Sequence, residues 1–252
     1  MHPLVSDALR RGLSRIVFKK RLPKEFGSLP VFVTPRADLR VLWPSYQKSA
    51  LDLMLIVRHF VSPSHCVWDI GSNQGIFSVC AAYKAGPTGQ VFSVEADPTY
   101  AALQHRTFSA LPPGNAPCSV LCAAVADRGG ILDFSVSARG HARSGLTKVA
   151  IERVASHKPV VAVTLDYLLD FWPAPNVAKI DVEGADLLVL QGASRLLREA
   201  NPLIYIEMTP ETYPHSSDLL RAAGYELFHL HGDGSLSPLI QFSPYVVARP
   251  GR

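Results

Sequence analysis

Short hydrophobic stretches alternate with longer amphipathic ones from about residue 64 to the end of the chain. The short stretches predict strands and the amphipathic ones predict helices, because side chains repeat every two residues in a strand and every 3.6 in a helix. The predicted strands are 66–70, 90–96, 119–125, 131–137, 160–165, 177–182, 203–207, 225–231 and 245–248. The predicted helices are 75–85, 98–111, a short one from Asp166, 185–199 and 216–223.

The order of these elements predicts an α/β fold. Strands that alternate with helices form a mostly parallel sheet with helices on both faces. Two strands follow the last helix around the turn Gly232-Asp233-Gly234, so the last strand is predicted to run antiparallel to its neighbour. Residues 1–63 precede this pattern as a separate N-terminal extension, in which 32–44 is compatible with one or two strands and 48–61 with a helix.

The composition excludes a disordered protein. The chain has 252 residues, of which 48% are hydrophobic, and its mean hydropathy is +0.14, so it has enough apolar material for a packed core. The net charge of +4 is unevenly distributed. Residues 1–48 contain ten basic and three acidic residues and carry +7, whereas the other 204 residues contain 15 basic and 18 acidic residues and carry −3. The basic extension indicates either an anionic partner or a solvated surface.

Cysteine usage and apolar patterning predict a cytoplasmic protein. The four cysteines form no Cys-x-x-Cys pair and no zinc-finger spacing with the histidines, which favours a reducing compartment. The first residues lack the hydrophobic region of a signal peptide. No apolar stretch approaches the roughly 18–20 residues of a membrane helix, so we expect no membrane span.

The strongest chemical signal lies at the end of the strand predicted over 66–70. Asp69 is followed by a turn with Gly71 and Gly75 that opens a helix. Glycines allow a ligand to approach the backbone closely, and a helix start offers free N–H donors. The spacing Asp-x-Gly-x-x-x-Gly differs from the dinucleotide fingerprint Gly-x-Gly-x-x-Gly. Its carboxylate favours a cationic group, such as the ammonium or sulfonium of S-adenosylmethionine. A glycine-rich turn without a ligand is the alternative.

An acid also ends the next predicted strand. Glu95 follows Asp69 by 26 positions, about one strand–helix–strand unit. An acid at that place can accept hydrogen bonds from ribose hydroxyls. Asp97 is explained equally well as the N-cap of the helix that begins with Pro98.

Three further acids follow or end later strands. Asp181 and Glu183 are two positions apart and so share one side of an extended strand end, and Glu207 ends the following strand. Such acids could accept a proton from a substrate hydroxyl or hold a divalent metal ion through oxygen ligands. The alternatives are that Glu183 caps the next helix while Asp181 orients backbone amides, and that Glu207 is a surface carboxylate.

The order of these motifs resembles the FkbM family of S-adenosylmethionine-dependent methyltransferases. The stretches that carry the resemblance are Asp69-Ile70-Gly71-Ser72-Asn73-Gln74-Gly75, Glu95-Ala96-Asp97-Pro98, Thr164-Leu165-Asp166 and Lys179-Ile180-Asp181-Val182-Glu183-Gly184-Ala185. The likeness covers residues 64–230, and the last stretch is its most distinctive part. Ser72 stands where alanine is usual in the family, and Asp186 where glutamate is usual.

The resemblance implies a class I methyltransferase fold with a Rossmann-like sheet of about seven strands. It implies S-adenosylmethionine as the cofactor and methylation of a hydroxyl oxygen on a sugar, glycan or secondary metabolite. The residues implied to bind the cofactor are Asp69, Gly71, Ser72, Asn73, Gly75, Glu95, Ala96, Asp97 and Ala124. The implied catalytic residues are Asp181, Glu183 and Glu207. Dependence on a divalent metal stays open, and no metal ligand is assigned.

The chain is therefore expected to consist of the basic extension 1–63 and a methyltransferase domain over 64–252. Within that domain the polar stretch 138–158 is a candidate lid or substrate loop, in which His141 and Arg143 could contact the acceptor. A solvated loop is the favoured alternative for these two residues.

Two other functions stay open from the sequence. The basic extension would suit an RNA methyltransferase or an RNA-binding protein. Nucleic acid is nevertheless disfavoured as a partner, because we identify no pattern of aromatic residues interleaved with the basic ones for base stacking. A non-catalytic scaffold with the same fold is the second alternative. The sequence predicts neither the identity of the acceptor nor the oligomeric state.

Overall fold

The structure is a computed structural model, and it describes residues 16–37, 39–42, 51–137, 145–146 and 154–251. Several residues that the sequence singles out lie outside these ranges, together with most of the candidate lid 138–158. They are Arg10, Arg11, Arg15, Lys48, His141 and Arg143.

The secondary structure follows the predicted alternation of strands and helices. The strands are β1 (Phe18–Arg21), β2 (Pro30–Val33), β3 (Cys66–Ile70), β4 (Gln90–Glu95), β5 (Cys118–Cys122), β6 (Ala124–Val125), β7 (Gly130–Ser137), β8 (Gly145–Leu146), β9 (Val154–Val163), β10 (Val177–Ile180), β11 (Leu203–Glu207), β12 (Tyr225–Leu230), β13 (Leu236–Pro238) and β14 (Tyr245–Pro250). The α-helices are α1 (Leu51–Phe60), α2 (Ile76–Ala85), α3 (Pro98–Ser109), α4 (Leu165–Leu168), α5 (Asp186–Gln191) and α6 (Tyr213–Ala222). Two 3₁₀-helices, Lys24–Phe26 and Leu39–Leu42, and a π-helical turn, Leu196–Ala200, are also present among the described residues.

The main sheet has the order β13-β12-β14-β11-β10-β3-β4-β5. Neighbouring strands from β11 to β5 are parallel, and β14 inserts antiparallel between β11 and β12. The predicted mostly parallel sheet with an antiparallel last strand is confirmed. β13 is an additional strand, and the turn at residues 232–234 leads into β13 rather than into β14. A strand of only three residues is too short to show an alternating pattern in the sequence.

Alternate residues of the strands face two separate hydrophobic clusters. In β3, Val67 belongs to a cluster with α1 and α2, whereas Trp68 and Ile70 belong to a cluster with α4, α5 and α6. Successive side chains of a strand point to opposite faces of its sheet. Each face is therefore covered by helices, as predicted. None of the helices in the described ranges combines the length and the apolar character that crossing a membrane requires.

A second sheet lies beside the main one, with the order β6-β9-β7-β8. The stretch predicted as one strand over 119–125 divides at Ala123: β5 stays in the main sheet, and β6 pairs with β9. The predicted strands over 131–137 and 160–165 also belong to this second sheet, as parts of β7 and β9. Hydrophobic patterning identifies these strands, but it does not say which sheet each one joins.

The predicted helix over 185–199 is interrupted. α5 ends at Gln191, and the π-helical turn begins at Leu196. The carboxylate of Asp166 accepts hydrogen bonds from the backbone N–H groups of Arg195 (2.9 Å) and Leu196 (3.0 Å). Because Asp166 satisfies these N–H groups, the chain begins a second helical segment where the apolar periodicity alone predicts a continuous helix.

The described part of the N-terminal extension packs onto the main sheet. β1 and β2 form an antiparallel pair, and β2 overlaps the stretch 32–44, which was expected to hold strands, only at residues 32 and 33. The buried side chains of Leu22, Phe26 and Val33 belong to the same hydrophobic cluster as α1 and α2. The backbone N–H of Phe32 also donates to Oγ1 of Thr107 in α3 at 3.1 Å. These contacts make the extension part of the core on this face of the sheet.

Replacing Phe26 by alanine tests whether the extension contributes to the stability of the fold. Phe26 is 1% exposed, so Phe26→Ala should lower the free energy of unfolding by about 3–5 kcal/mol, measured by urea denaturation. Phe171→Ala is the matched control, since Phe171 is 65% exposed and its loss should change that free energy by about 0.5 kcal/mol or less. Equal, small effects of the two substitutions would show that the extension is not part of the cooperatively folded core.

Candidate active site

The predicted site residues converge where the carboxyl ends of β3, β4, β10 and β11 meet. The register pairs Asp69 with Lys179 and Ile70 with Ile180. Ligands of open α/β sheets bind outside the carboxyl ends of the strands. The acids that end or directly follow these four strands are Asp69, Glu95, Asp181, Glu183 and Glu207.

The loop after β3 runs very close to the loop after β10. Gly71 has a φ of 73°, and a Cβ at this position would overlap the carbonyl oxygen of Asp181. Only glycine combines this φ with such a close approach. The backbone N–H groups of Gly71 (2.9 Å) and Ser72 (3.1 Å) both donate to the carbonyl oxygen of Val94, which ties the loop to β4.

Gln104 of α3 holds the same loop from the other side. Its side chain is fully buried, and Nε2 donates to Oγ of Ser72 (2.8 Å) and to the carbonyl oxygen of Asn73 (2.7 Å). A Cβ on Gly75 would press against the Gln104 side chain at 2.9 Å. The absence of a Cβ at Gly75 therefore leaves space for Gln104, which holds the loop in place. No role is predicted for Gln104 from the sequence, because the neighbours of a polar residue in a predicted helix do not indicate what its side chain contacts.

The carboxylate of Glu95 joins the loops that follow β3 and β4. One oxygen accepts from the backbone N–H of Asn73 and the other from that of Asp97, both at 2.7 Å. Glu95 is 8% exposed, and this burial raises its pKa to about 7, against the lowering effect of the two amide hydrogen bonds. Each carboxylate oxygen has a second lone pair, so Glu95 can still accept hydrogen bonds from ribose hydroxyls as predicted from the sequence.

Three other predicted cofactor residues border this point. Asp97 is the N-cap of α3, and its Oδ1 accepts from the backbone N–H of Thr99 at 2.7 Å, as the capping interpretation requires. Ala96 and Ala124 contribute to one small hydrophobic cluster at the same edge of the sheet. Ala124 belongs to β6 and is almost completely buried.

Asp69 is turned into the protein in this conformation. It is 0% exposed, its Oδ2 accepts from Oγ of Ser78 (2.5 Å), and its Oδ1 lies 3.1 Å from Nζ of Lys179. The carboxylate therefore faces its own neighbours rather than a ligand. Direct contact of Asp69 with the methionine part of the cofactor stays a prediction.

Asp181, Glu183 and Glu207 form a compact acidic cluster. One carboxylate oxygen from each residue lies within 4.8 Å of those of the other two. Glu183 adopts a φ of 51°, and Ala185 rather than Glu183 is the N-cap of α5. All three residues are half-buried. Carboxylates this close together repel one another unless they share protons or bind a cation.

Burial and the neighbouring acids keep a proton on Glu207. Burial first, then the charge and hydrogen bond of Asp181 and the charge of Glu183, raise the pKa of Glu207 to about 9, while a hydrogen bond with Tyr245 acts in the opposite direction. Tyr245 pairs with Glu207 across β14 and β11, and its ring stacks on Tyr205 with centroids 5.9 Å apart. Tyr245 is not predicted from the sequence as a neighbour of Glu207, because this antiparallel pairing joins residues far apart in the chain.

The extension reaches the loop after β3 as well. The backbone N–H of Thr34 donates to Oε1 of Gln74 at 2.6 Å. Arg36 lies 3.4 Å from Oδ2 of Asp97 and donates to Oγ1 of Thr99 at 2.9 Å. Part of the positive charge of the extension thus serves to anchor the loops of the site.

The loop after β3 also presents an acceptor that its own neighbours do not use. Oδ1 of Asn73 is buried and has no hydrogen-bond partner among the residues that the structure describes. A buried acceptor without a donor is destabilising, so this atom fits a ligand that supplies an amino or hydroxyl group. S-adenosylmethionine carries both groups. Together with Glu95 and the close approach at Gly71, Asn73 makes the edge suitable for this cofactor.

Comparison with known proteins supports the same assignment. The family described as Methyltransferase FkbM domain matches residues 69–227, a range that contains every predicted site residue. The hexuronic acid methyltransferase AglP of Haloferax volcanii is 29% identical over 157 residues, which are 61% of this chain and 60% of that protein. The chain thus spans less than two thirds of the length of this relative.

Two solved structures are similar at low sequence identity. Methyltransferase FkbM from Methylobacillus flagellatus aligns with a TM-score of 0.48 at 11% identity, over 98% of this chain and 58% of that one. The precorrin-6y C5,15-methyltransferase from Geobacter metallireducens also aligns with a TM-score of 0.48, at 14% identity over 82% of this chain and 89% of that one.

The proton on Glu207 should be visible in the pH dependence of stability. The pKa of Glu207 is about 9 in the folded state against 4.5 for an ordinary glutamate, so the folded state binds more protons than the unfolded state between these values. The free energy of unfolding should therefore fall as pH rises through this window. Between pH 7 and 9, Glu207→Gln should flatten the fall by about 1 kcal/mol per pH unit, while Glu95 contributes equally in both proteins.

Urea denaturation at pH 7, 8 and 9 in the presence of a chelator measures this slope. Glu226→Gln is the control, because Glu226 is an exposed acid of β12 and its loss should leave the slope unchanged. An equal slope in wild type and Glu207→Gln would contradict the protonated state of Glu207.

Proposed function

Because this chain belongs to the FkbM methyltransferase family, we propose that it transfers the methyl group of S-adenosylmethionine to a hydroxyl oxygen of a sugar or glycan. The observation that carries the proposal is the acidic cluster of Asp181, Glu183 and Glu207 beside a loop suited to the cofactor. The contact between Gly71 and the Asp181 carbonyl makes the two sites immediate neighbours. The hexuronic acid methyltransferase of Haloferax volcanii favours a sugar as the acceptor.

The cofactor, when bound, supplies a methyl group on a sulfonium sulfur that is already a good leaving group. The protein then has two tasks, to align the acceptor oxygen with this methyl group and to receive the proton of the hydroxyl. Asn73 and Glu95 are proposed to hold the amino and ribose groups of the cofactor. The acidic cluster is proposed to hold the acceptor hydroxyl.

The charges of the cluster divide the roles among its members. Glu207 carries a proton at neutral pH, since its pKa is about 9, so it acts as a hydrogen-bond donor before the reaction. Asp181 or Glu183 is then the proton acceptor. A divalent cation held by the three carboxylates is the alternative, since it would displace the proton of Glu207 and polarise the hydroxyl.

The same charges favour a hydroxyl over a carboxylate as the acceptor. A carboxylate oxygen needs no base, and three acids within 4.8 Å would repel it. A hydroxyl is a poor nucleophile until its proton is taken, which is the task that a carboxylate cluster performs. The described residues therefore match a hydroxyl acceptor better than an anionic one.

Glu95 is proposed to bind the cofactor, and its removal should weaken that binding. Glu95→Ala removes the acceptor for the N–H groups of Asn73 and Asp97 as well as any bond to ribose. The dissociation constant for S-adenosylmethionine, measured by isothermal titration calorimetry, should rise at least about tenfold. Glu226→Ala on the exposed face of β12 is the control. Unchanged affinity in a folded Glu95→Ala protein would exclude Glu95 from the cofactor site.

Neutralising the acidic cluster should impair turnover more than cofactor binding. Asp181→Asn or Glu183→Gln, whichever removes the proton acceptor, should lower kcat about 10²-fold or more, measured as transfer of a labelled methyl group to sugar acceptors at saturating cofactor. The dissociation constant of the cofactor should change little. Wild-type kcat in both variants would remove the cluster from the mechanism.

Exhaustive treatment with a chelator distinguishes a mechanism that uses a carboxylate base from one that uses a metal ion. Full activity after treatment with a chelator leaves a carboxylate as the base. Loss of activity that Mg²⁺ or Mn²⁺ restores assigns the cluster to a metal ion.

A further inference from the structure

Lys179 is a buried cation at the junction of the two proposed sites. It is 2% exposed, although it belongs to a motif to which the sequence analysis assigned only acidic functional residues. Its Nζ donates to the carbonyl oxygen of Gly71 at 2.9 Å. It also lies 3.1 Å from Oδ1 of Asp69 and 3.4 Å from Oδ2 of Asp181. An ammonium has three N–H donors, and here it has three oxygen neighbours.

The surroundings keep this ammonium charged. Burial lowers the pKa of Lys179, but the charges of Asp69 and Asp181 outweigh burial and raise it. Removing one partner of a buried ion pair is strongly destabilising, whereas a well-packed apolar replacement of the whole pair is often tolerated. Stability alone therefore does not explain why a lysine rather than an apolar residue occupies this place.

The three oxygens belong to different parts of the site. Gly71 begins the loop that is proposed to hold the cofactor, Asp181 belongs to the acidic cluster, and Asp69 lies behind both. Lys179 contacts both that loop and that cluster. Its position in the centre of the sheet, on β10 beside β3, fixes it more firmly than a loop residue would be.

We propose that Lys179 is a positioning residue that holds the cofactor loop and Asp181 in the relative arrangement that methyl transfer requires. The inference rests on the proposed function, which identifies the loop after β3 as the cofactor site and the acidic cluster as the acceptor site. Its physical basis is that reacting groups displaced by about 1 Å can lose roughly 10²-fold in rate. Lysine suits the task because its compact ammonium can donate in three directions, whereas the planar fork of arginine cannot converge on these three oxygens in the same space.

The decisive comparison is between Asp69→Asn and the double variant Lys179→Met/Asp69→Asn. Lys179→Met alone leaves Asp69 as an unpaired buried charge and is expected to unfold easily. The double variant removes both charges and should recover stability. If Lys179 positions the sites, kcat at saturating S-adenosylmethionine should be at least about tenfold lower in the double variant than in Asp69→Asn. If Lys179 only balances the charge of Asp69, the two proteins should have equal kcat, which would overturn the proposal.

Amide hydrogen exchange gives a second readout that does not depend on activity. Exchange at the N–H groups of Gly71 and Ser72 should be at least about tenfold faster in the double variant than in Asp69→Asn, because the loop has lost its tether to Nζ. Equal exchange rates would contradict the tether. Lys84→Met, in the last turn of α2, is the matched control and should change neither readout.

The outcomes distinguish this inference from the proposed function. A wild-type chain that binds no S-adenosylmethionine contradicts the proposed function, while hydrogen exchange still tests the tether. A wild-type chain that transfers methyl groups, with equal kcat and equal exchange in the two variants, contradicts the role of Lys179 alone.

Discussion

The ion pair between Lys179 and Asp69 is the constraint on which the rest of the site depends. Both side chains are buried where β3 and β10 run side by side, and Asp69 would be an uncompensated buried charge without Lys179. Because Nζ of Lys179 also donates to the carbonyl oxygen of Gly71, the pair fixes the first bend of the loop after β3. The hydrogen bonds of Gln104 and Glu95 attach to that loop one and two residues further on. The ion pair inside the sheet thus fixes the start of the loop that forms the proposed cofactor site.

The acidic cluster differs from this pair, because it brings three acids together and Lys179 contacts Asp181 among them. Glu207, Asp181 and Glu183 lie too close together for all three to be ionised without cost. Burial of Glu207, together with its repulsion from Asp181 and Glu183, raises its pKa. A site that holds one proton among several carboxylates is suited to exchange a proton with a hydroxyl or to exchange that proton for a cation. The ion pair of Lys179 and Asp69 is proposed to position the site, and the acidic cluster is proposed to react with the acceptor.

Local patterns predicted most of the elements and the acids at the strand ends, but they could not predict what those acids contact. The alternation of strands and helices placed Asp69, Glu95, Asp181 and Glu207 at strand ends, because that information lies in neighbouring residues. The inward direction of Asp69 depends on Lys179, which is 110 positions later in the chain. The raised pKa of Glu207 depends on its burial and on its acidic neighbours Asp181 and Glu183. Likewise, the stretch 119–125 divides between two sheets because β6 pairs with β9, and hydrophobic periodicity does not predict that pairing.

The chemical form of the transferred methyl group tests the central claim most directly. The wild-type chain would be incubated with S-adenosylmethionine labelled with ¹³C in its methyl group and with methyl glycosides of a hexuronic acid and of a neutral hexose. The label would then be located in the product by NMR before and after mild alkali. We predict an alkali-stable methyl ether on a sugar hydroxyl, as a proton-accepting carboxylate cluster requires. An alkali-labile methyl ester on the hexuronic acid, or no transfer to either sugar by a protein that binds the cofactor, would contradict the account.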